Sequence, residues 1–194
     1  MKRFGFSCGL SLILAVLLVL PGHAAAQGAQ VRPSLKASIL QRLGTDTDIT
    51  IEYSRPGVKG RKIWGAIVPY GMAPGNKSSK NQPFPWRAGA NENTTVEFKK
   101  DVLIEGKPLA AGKYGLHMIP SEKEWTIIFS KNNSSWGSFS YNQEEDALRI
   151  IVKPILAPFQ EWLTYGFEEL AGKSATAFLH WEQLKVPFKI SLPE

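Results

Sequence analysis

The sequence predicts an all-β protein, an antiparallel β-sandwich of jelly-roll-like or Ig-like type with about nine strands and at most one or two short helices. Apolar residues alternate with polar ones along many short segments, and turn residues separate these segments. Helical periodicity is not sustained over the length of an ordinary helix. Of the 194 residues, 43% are hydrophobic and 21% are charged, a composition that can fill a core and excludes a disordered chain.

The first residues precede the predicted strands and are typical of a secretory signal peptide. Lys2 and Arg3 are followed by the apolar run LSLILAVLLVL and then by small residues up to Ala26. We therefore predict a signal peptide over residues 1–26 and a single β-sandwich domain over residues 27–194. An uncleaved N-terminal anchor is the alternative, although the run is shorter than the about 20 residues of a membrane span. Cleavage would leave no membrane span and would remove the single cysteine, Cys8.

The predicted cleavage also changes the charge balance. It leaves 21 of the 23 basic residues against 17 acidic ones, a net charge of +4 instead of +6. Because the remaining bases are scattered among acids, we predict no nucleic-acid partner. A small molecule, a glycan or an envelope protein is the expected partner, and the oligomeric state stays open.

Each predicted strand carries an alternating apolar set. In chain order the sets are Ile49, Ile51 and Tyr53; Val96 and Phe98; Val102 and Ile104; Tyr114, Leu116 and Met118; Trp125, Ile127 and Phe129; Leu148, Ile150 and Val152; Leu163, Tyr165 and Phe167; Ala175, Ala177, Leu179 and Trp181; Val186, Phe188 and Ile190. We expect the last strand to lie at a sheet edge, because Pro187 cannot donate a ladder hydrogen bond.

Three further segments are harder to interpret. Residues 34–43 fit a short helix or a strand, and we favour a strand because the all-β context needs an opening partner. A helical turn is expected near residues 143–147. The stretch from Pro69 to Arg87 is too long for an ordinary hairpin and is either a mobile insertion or a lid beside a binding site.

Residues suited to catalysis or metal binding are few. His117 and His180 lie on the strand face opposite the apolar set, so we expect both at the sheet surface. No metal-ligand spacing is present, and the acidic run Glu144 to Asp146 fits a solvated turn. The segment around Ser138 and Ser140 is not a nucleophile elbow. We predict no metal site, no cofactor and no catalytic residue, and the protein is more consistent with a binding module than with an enzyme.

Polar residues concentrate in two loops that flank the long irregular stretch. These candidate ligand-binding residues are Arg55, Lys59 and Arg61 in SRPGVKGRK, and Trp86, Arg87, Asn91 and Glu92 in WRAGANENTT. If the flanking strands are neighbours, the loops meet at one end of the sandwich, where arginine forks suit carboxylate or phosphate oxygens. The alternative is internal, with Arg87 or Arg61 paired to Glu92 or Asp101.

The ordered motifs resemble those of a bacterial family, domain of unknown function 2911. They are YSRPGVKGRKIWG, VPYG, WRAGANENTT, DVLIEGKPLAAGKYGLHMIP, EWTIIFS, the Trp136-Gly137 pair, LRIIVKP and EWLTYGFEEL. The resemblance implies export from a Gram-negative bacterium, to the periplasm or outside the cell, but no settled activity. Family members pass from VPYG to the WR segment through few residues, so the resemblance to the family implies that residues 72–85 are a lineage-specific insertion.

Three functions remain open on the sequence. The first is a non-catalytic exported module that binds a ligand or partner at the two loops. The second is a hydrolase with Glu92 or Asp101 as general base and an arginine that stabilises charge. The third is a structural or assembly component of the cell envelope that pairs through an exposed sheet edge.

Overall fold

The computed structural model describes residue 1 and residues 31–194. The predicted signal peptide and its cleavage site therefore lie outside the described residues, apart from Met1. The described part contains ten strands: β1 Leu35–Leu43, β2 Thr47–Arg55, β3 Thr94–Phe98, β4 Val102–Ile104, β5 Lys107–Leu109, β6 Gly112–Ile119, β7 Trp125–Ser130, β8 Asp146–Val152, β9 Ile155–Ala171 and β10 Ser174–Ser191. Two short 3-10 helices, Lys77–Ser79 and Gln143–Glu145, complete the secondary structure.

The strands form two antiparallel sheets. The six-stranded sheet has the order β1-β2-β3-β6-β7-β8, and the four-stranded sheet has the order β5-β4-β10-β9. The predicted all-β sandwich is confirmed. Within the segment from residue 34 to 43, residues Leu35–Leu43 form the opening strand β1, as favoured, and β1 pairs with β2 along its whole length.

The core lies between the two sheets and is built from the alternating sets that the sequence predicts. Ile49, Ile51 and Tyr53 of β2 are buried, and so are Leu163 and Tyr165 of β9 on the opposite sheet. Their period of two residues places every second side chain on the inner face of its sheet. The predicted helical turn is confirmed as the 3-10 helix at Gln143–Glu145.

The prediction for Pro187 is wrong in one respect. The two last apolar sets belong to one 18-residue strand, β10, which is an interior strand between β4 and β9. Pro187 is tolerated there because the ladder with β9 ends at Lys185 and the ladder with β4 involves Ile190 and Ser191. The proline thus falls between two paired segments, where no ladder donor is required.

The prediction for His117 is also wrong. Its side chain lies on the outer face of the six-stranded sheet, as the alternation indicates, but it is only 2% exposed. The segment between β7 and β8 covers this face, and Ser138 and Tyr141 from that segment contact the imidazole. His180 is half-buried and lies 2.8 Å from the carbonyl oxygen of Pro158 through its Nε2 atom.

No helix in residues 31–194 has the length and apolar character needed to cross a membrane.

Candidate functional site

The connection between β2 and β3 carries both predicted binding loops. These two strands are antiparallel neighbours, with Ile51 opposite Val96 and Glu52 opposite Thr95. The chain therefore leaves β2 at Arg55 and returns into β3 at Thr94 at the same end of the sheet. The pairing on which the predicted meeting of the loops depended is present.

The two loops line one open cavity at this end of the sandwich, with a volume of about 620 Å³. We call it the arginine cavity. Five of the seven predicted site residues contribute to its lining: Lys59, Arg61, Trp86, Arg87 and Asn91. The remaining lining is mostly apolar: Pro33, Pro56, Ile67, Val68, Pro69, Ala73, Phe84, Pro85, Phe139 and Trp181, together with Ser34, Gly57, Gly89 and Ala90. The lining includes three cationic side chains and no aspartate or glutamate.

Arg87 is the most enclosed of the three cations. Its guanidinium carbon lies 4.8 Å from the ring centre of Phe139, and its Nη1 donates to the carbonyl oxygen of Asn91. Burial lowers the pKa of the Arg87 guanidinium from its usual value, and the group stays charged because an arginine pKa starts so high. Among the described residues, no carboxylate pairs with it, and its Nε and Nη2 atoms donate no hydrogen bond to another residue.

The backbone around Arg87 is held in an uncommon conformation. Ala88 is fully buried with φ of 52°, a left-handed value that costs a residue with a Cβ about 1 kcal/mol or more. Its carbonyl oxygen accepts hydrogen bonds from the Tyr165 hydroxyl at 2.9 Å and the Thr94 hydroxyl at 3.1 Å. On the other side, Trp86 and Met118 exchange two backbone hydrogen bonds. These contacts fix Arg87 to both sheets, since Tyr165 lies in β9 and Thr94 in β3.

The other two cations are more exposed and are partly occupied. Arg61 donates from Nη2 to the Gly57 carbonyl oxygen at 2.7 Å and from Nε to the Val58 carbonyl oxygen at 3.1 Å. The Nζ atom of Lys59 lies 5.7 Å from the ring centre of Trp162. Trp162 itself is not part of the lining of the arginine cavity.

Arg55 and Glu92 do not line the arginine cavity. Arg55 connects the two sheets, donating from Nε to the Leu163 carbonyl oxygen at 2.9 Å and from Nη2 to the Thr164 hydroxyl at 2.7 Å. Glu92 forms an ion pair with Arg32 at 2.6 Å, and this arginine lowers the pKa of the Glu92 carboxyl. Both residues therefore have partners that lie far from them in the chain.

The internal ion pairs expected as an alternative do not form. Arg61 and Arg87 donate to backbone carbonyl oxygens, and Glu92 pairs with Arg32. Asp101 accepts a hydrogen bond from the Ala111 amide at 2.8 Å, next to β4 and away from the cavity. Neither proposed general base, Glu92 or Asp101, thus lies beside an arginine of the cavity.

Tryptophan side chains form the floor of the cavity. Trp86 stacks on Trp181 of β10, with ring centres 6.1 Å apart and an angle of 18° between the planes. Trp64 contacts both of these rings and Trp125 of β7 edge to face, at 4.9 to 5.8 Å. The cluster therefore joins β7 of one sheet to β10 of the other directly below the cavity.

Part of the stretch 72–85, which we predict from the sequence to be an insertion, forms one wall. Ala73 and Phe84 exchange two backbone hydrogen bonds, which close the base of the insertion like the end of a hairpin. Beyond this base, Asn76 caps the 3-10 helix Lys77–Ser79 through its side chain. Only Ala73, Phe84 and Pro85 of the insertion contribute to the lining, and Phe84 packs edge to face on Phe139 at 5.1 Å.

Sequence reasoning missed the segment around Gly137, which packs against the Arg87 guanidinium. Gly137 has φ of 65°, and a Cβ at this position would overlap the Arg87 guanidinium. The neighbouring Ser138 is buried, and its hydroxyl lies 2.8 Å from Nδ1 of His117. Burial and the nearby Arg87 charge lower the pKa of His117 to about 4. The Trp136-Gly137 pair was the one available signal, but it did not show which strand face the segment covers.

Within residues 31–194, no three His, Cys, Asp or Glu side chains come together in a group that could hold a metal ion.

One comparison with known proteins gives a match. The family model described as "Protein of unknown function (DUF2911)" matches residues 34–190, which include all ten strands except the end of β10. No curated protein and no solved structure matches the chain.

Proposed function

The chain belongs to the DUF2911 family, whose description names no activity, and we propose that it is a non-catalytic protein that binds a small organic anion in the arginine cavity. The observation that carries the proposal is Arg87, a half-buried cation in an open cavity without a carboxylate partner in the described part of the chain. Partial removal of a charge from water costs free energy, which a bound anion offsets through charge-assisted hydrogen bonds.

The size and composition of the cavity support an organic molecule more than a single inorganic ion. A volume of about 620 Å³ lies within the range of sites for small ligands. Arginine and lysine donate hydrogen bonds and accept none, so the charged lining suits a ligand rich in acceptors. Sugar hydroxyls also need acceptors, and the lining offers no carboxylate for them. We therefore favour an organic anion over a neutral glycan.

Binding can be measured through the fluorescence of the tryptophans in the floor. The probes are benzoate, phenyl phosphate and benzenesulfonate, each titrated into the protein with isothermal calorimetry as a second readout. We expect at least one probe to bind, and Arg87→Gln to weaken it about tenfold or more, because a charge-assisted hydrogen-bond partner is lost.

The matched control is Arg42→Gln, which removes one arginine charge from an exposed ion pair with Asp48. This variant should bind the probe like the unaltered protein. Equal weakening by both substitutions would indicate a general charge effect and contradict a site at Arg87. The absence of binding by every probe would contradict the proposal as a whole.

We further propose that the protein acts outside the cytoplasm, in the periplasm or beyond it. The support is the sequence of residues 1–26, with its basic start, apolar run and small residues before Gln27. N-terminal sequencing of the protein from its native envelope fraction tests this, with Gln27 as the expected first residue.

A further inference from the structure

The proposed anion site can be refined to a chemical class of ligand, and this step rests on the proposed function. We propose that the ligand is a carboxylate attached to an apolar ring or chain. Its two oxygens accept hydrogen bonds from Nε and Nη2 of Arg87, and its apolar body contacts Phe84, Pro85 and Phe139.

The donors of Arg87 favour a carboxylate. Nη1 uses one of its two N–H groups on the Asn91 carbonyl oxygen, whereas Nε and Nη2, the two atoms on the side edge of the guanidinium, donate to no other described residue. Two parallel N–H groups match the two oxygens of one carboxylate. A phosphate monoester has three outer oxygens and is usually bound by several backbone amides or more than one cation.

The other cations do not add a second pair of free, parallel N–H donors beside Arg87. Two nitrogens of Arg61 are used by carbonyl oxygens of its own turn, and the Lys59 ammonium lies near Trp162. These charges raise the local positive potential but provide few further aligned donors. A singly charged group with two acceptor atoms is thus better matched than a dianion.

The apolar body of the ligand is indicated by the side chains next to the guanidinium. Phe139 lies against the Arg87 guanidinium, and Phe84 packs on Phe139 from the inserted stretch. Pro85 and Ala73 extend this wall. Contact with the apolar part of a ligand removes such a surface from water and favours binding, whereas hydroxyl groups of a ligand find no hydrogen-bond partner on it. A short acid such as acetate would satisfy Arg87 but leave the wall in water.

The guanidinium is also held in place before the ligand arrives. Gly137 packs so closely that an added Cβ would overlap it, and the Asn91 carbonyl oxygen fixes Nη1. A fork that is already oriented loses little side-chain entropy on binding. The position of the fork, and not only its charge, should therefore determine affinity.

The first test compares benzoate, acetate, phenyl phosphate and benzenesulfonate on the unaltered protein by calorimetry. We expect benzoate to bind about tenfold or more tightly than each of the others. A higher affinity for phenyl phosphate or benzenesulfonate that still depends on Arg87 would overturn the carboxylate assignment and leave the proposed function standing. Failure of all four probes to bind would overturn both.

The second test separates the geometry of the fork from its charge. Arg87→Lys and Gly137→Ala both keep the net charge, and each should weaken benzoate about tenfold because the paired donors are lost or displaced. Gly106→Ala is the matched backbone control, since Gly106 has φ of 76° with nothing within 4 Å of an added Cβ. Unchanged benzoate affinity in folded Arg87→Lys and Gly137→Ala would overturn the side-on contact.

Phe84→Ala should weaken the binding of benzoate and leave the affinity for acetate unchanged. An unchanged affinity for benzoate in the folded variant would overturn the apolar contact.

Discussion

His117 is a buried, neutral imidazole near Arg87 on the outer face of the six-stranded sheet, and its environment makes the stability of the protein depend on pH. The groups that face it are the Ser138 hydroxyl at Nδ1, the Tyr141 ring at 5.8 Å between ring centres and the charge of Arg87. The pKa of His117 falls from 6.5 in an unfolded chain to about 4 in the folded protein. Between these values the unfolded chain binds more protons, so the free energy of unfolding rises with pH.

We therefore expect the protein to lose about 2 kcal/mol of stability when the pH falls from 7.5 to 5. The measurement is urea unfolding at both pH values, with His117→Gln as the variant that lacks the titrating group. Glu52 and Glu92 have lowered pKa values and act mainly below their unfolded pKa of 4.5, outside this window. An equal loss of stability in His117→Gln would show that other groups are responsible.

The individual site residues differ in how well the sequence predicts them. Lys59, Arg61 and Arg87 could be assigned to one place only on the condition that the strands flanking their loops are neighbours, as β2 and β3 are. Arg55 and Glu92 could not be excluded, because their partners Thr164 and Arg32 lie 109 and 60 residues away in the chain. Pairing over such separations depends on the packing of the sheets, which no local pattern records.

At the scale of elements, the predicted insertion, residues 72–85, consists of a base that belongs to the site and a tip that does not. Ala73 and Phe84 form a narrow antiparallel pair at the base. The residues between them, 74–83, contribute nothing to the lining of the cavity. From the sequence, this stretch is expected to be either a mobile insertion or a lid. The contacts of its base are instead those of a fixed wall.

Replacing residues 74–83 by Asn-Gly should leave the protein folded and the wall in place. A two-residue turn of this type joins an antiparallel pair such as Ala73 and Phe84 without strain. We expect the free energy of unfolding to change by about 1 kcal/mol or less, since shortening a surface loop has a small entropic effect. Benzoate affinity should stay unchanged. A marked loss of affinity in the folded variant would show that the tip closes over the ligand.

Strand positions follow from the sequence wherever one face of a strand meets the opposite sheet. Ile49, Ile51 and Tyr53 alternate for that reason, and their burial agrees with the pattern. The length of β10 and the interior place of Pro187 could not be predicted, because they depend on where the ladders with β9 and β4 end. His117 followed the alternation, but the loop that buries it lies outside any strand pattern.

For the molecule as a whole, the contact between the two sheets below the site depends on the tryptophan cluster. Trp125 and Trp181 are fully buried on opposite sheets, and Trp64 packs on both. Stability and binding should therefore be coupled, because the same rings hold the sheets together and form the floor of the arginine cavity.

Trp64→Leu should lower the free energy of unfolding by about 3 kcal/mol, since it removes a large buried ring and leaves a cavity. The matched control is Trp136→Leu, at a side chain that is 58% exposed, and it should change stability by about 0.5 kcal/mol or less. Chemical unfolding followed by far-ultraviolet circular dichroism measures both. Benzoate should also stabilise the unaltered protein by RT ln(1 + [benzoate]/Kd), and Trp64→Leu should reduce this effect because the floor beneath the ligand is disturbed. Equal destabilisation by the two substitutions would mean that Trp64 does not hold the sheets together.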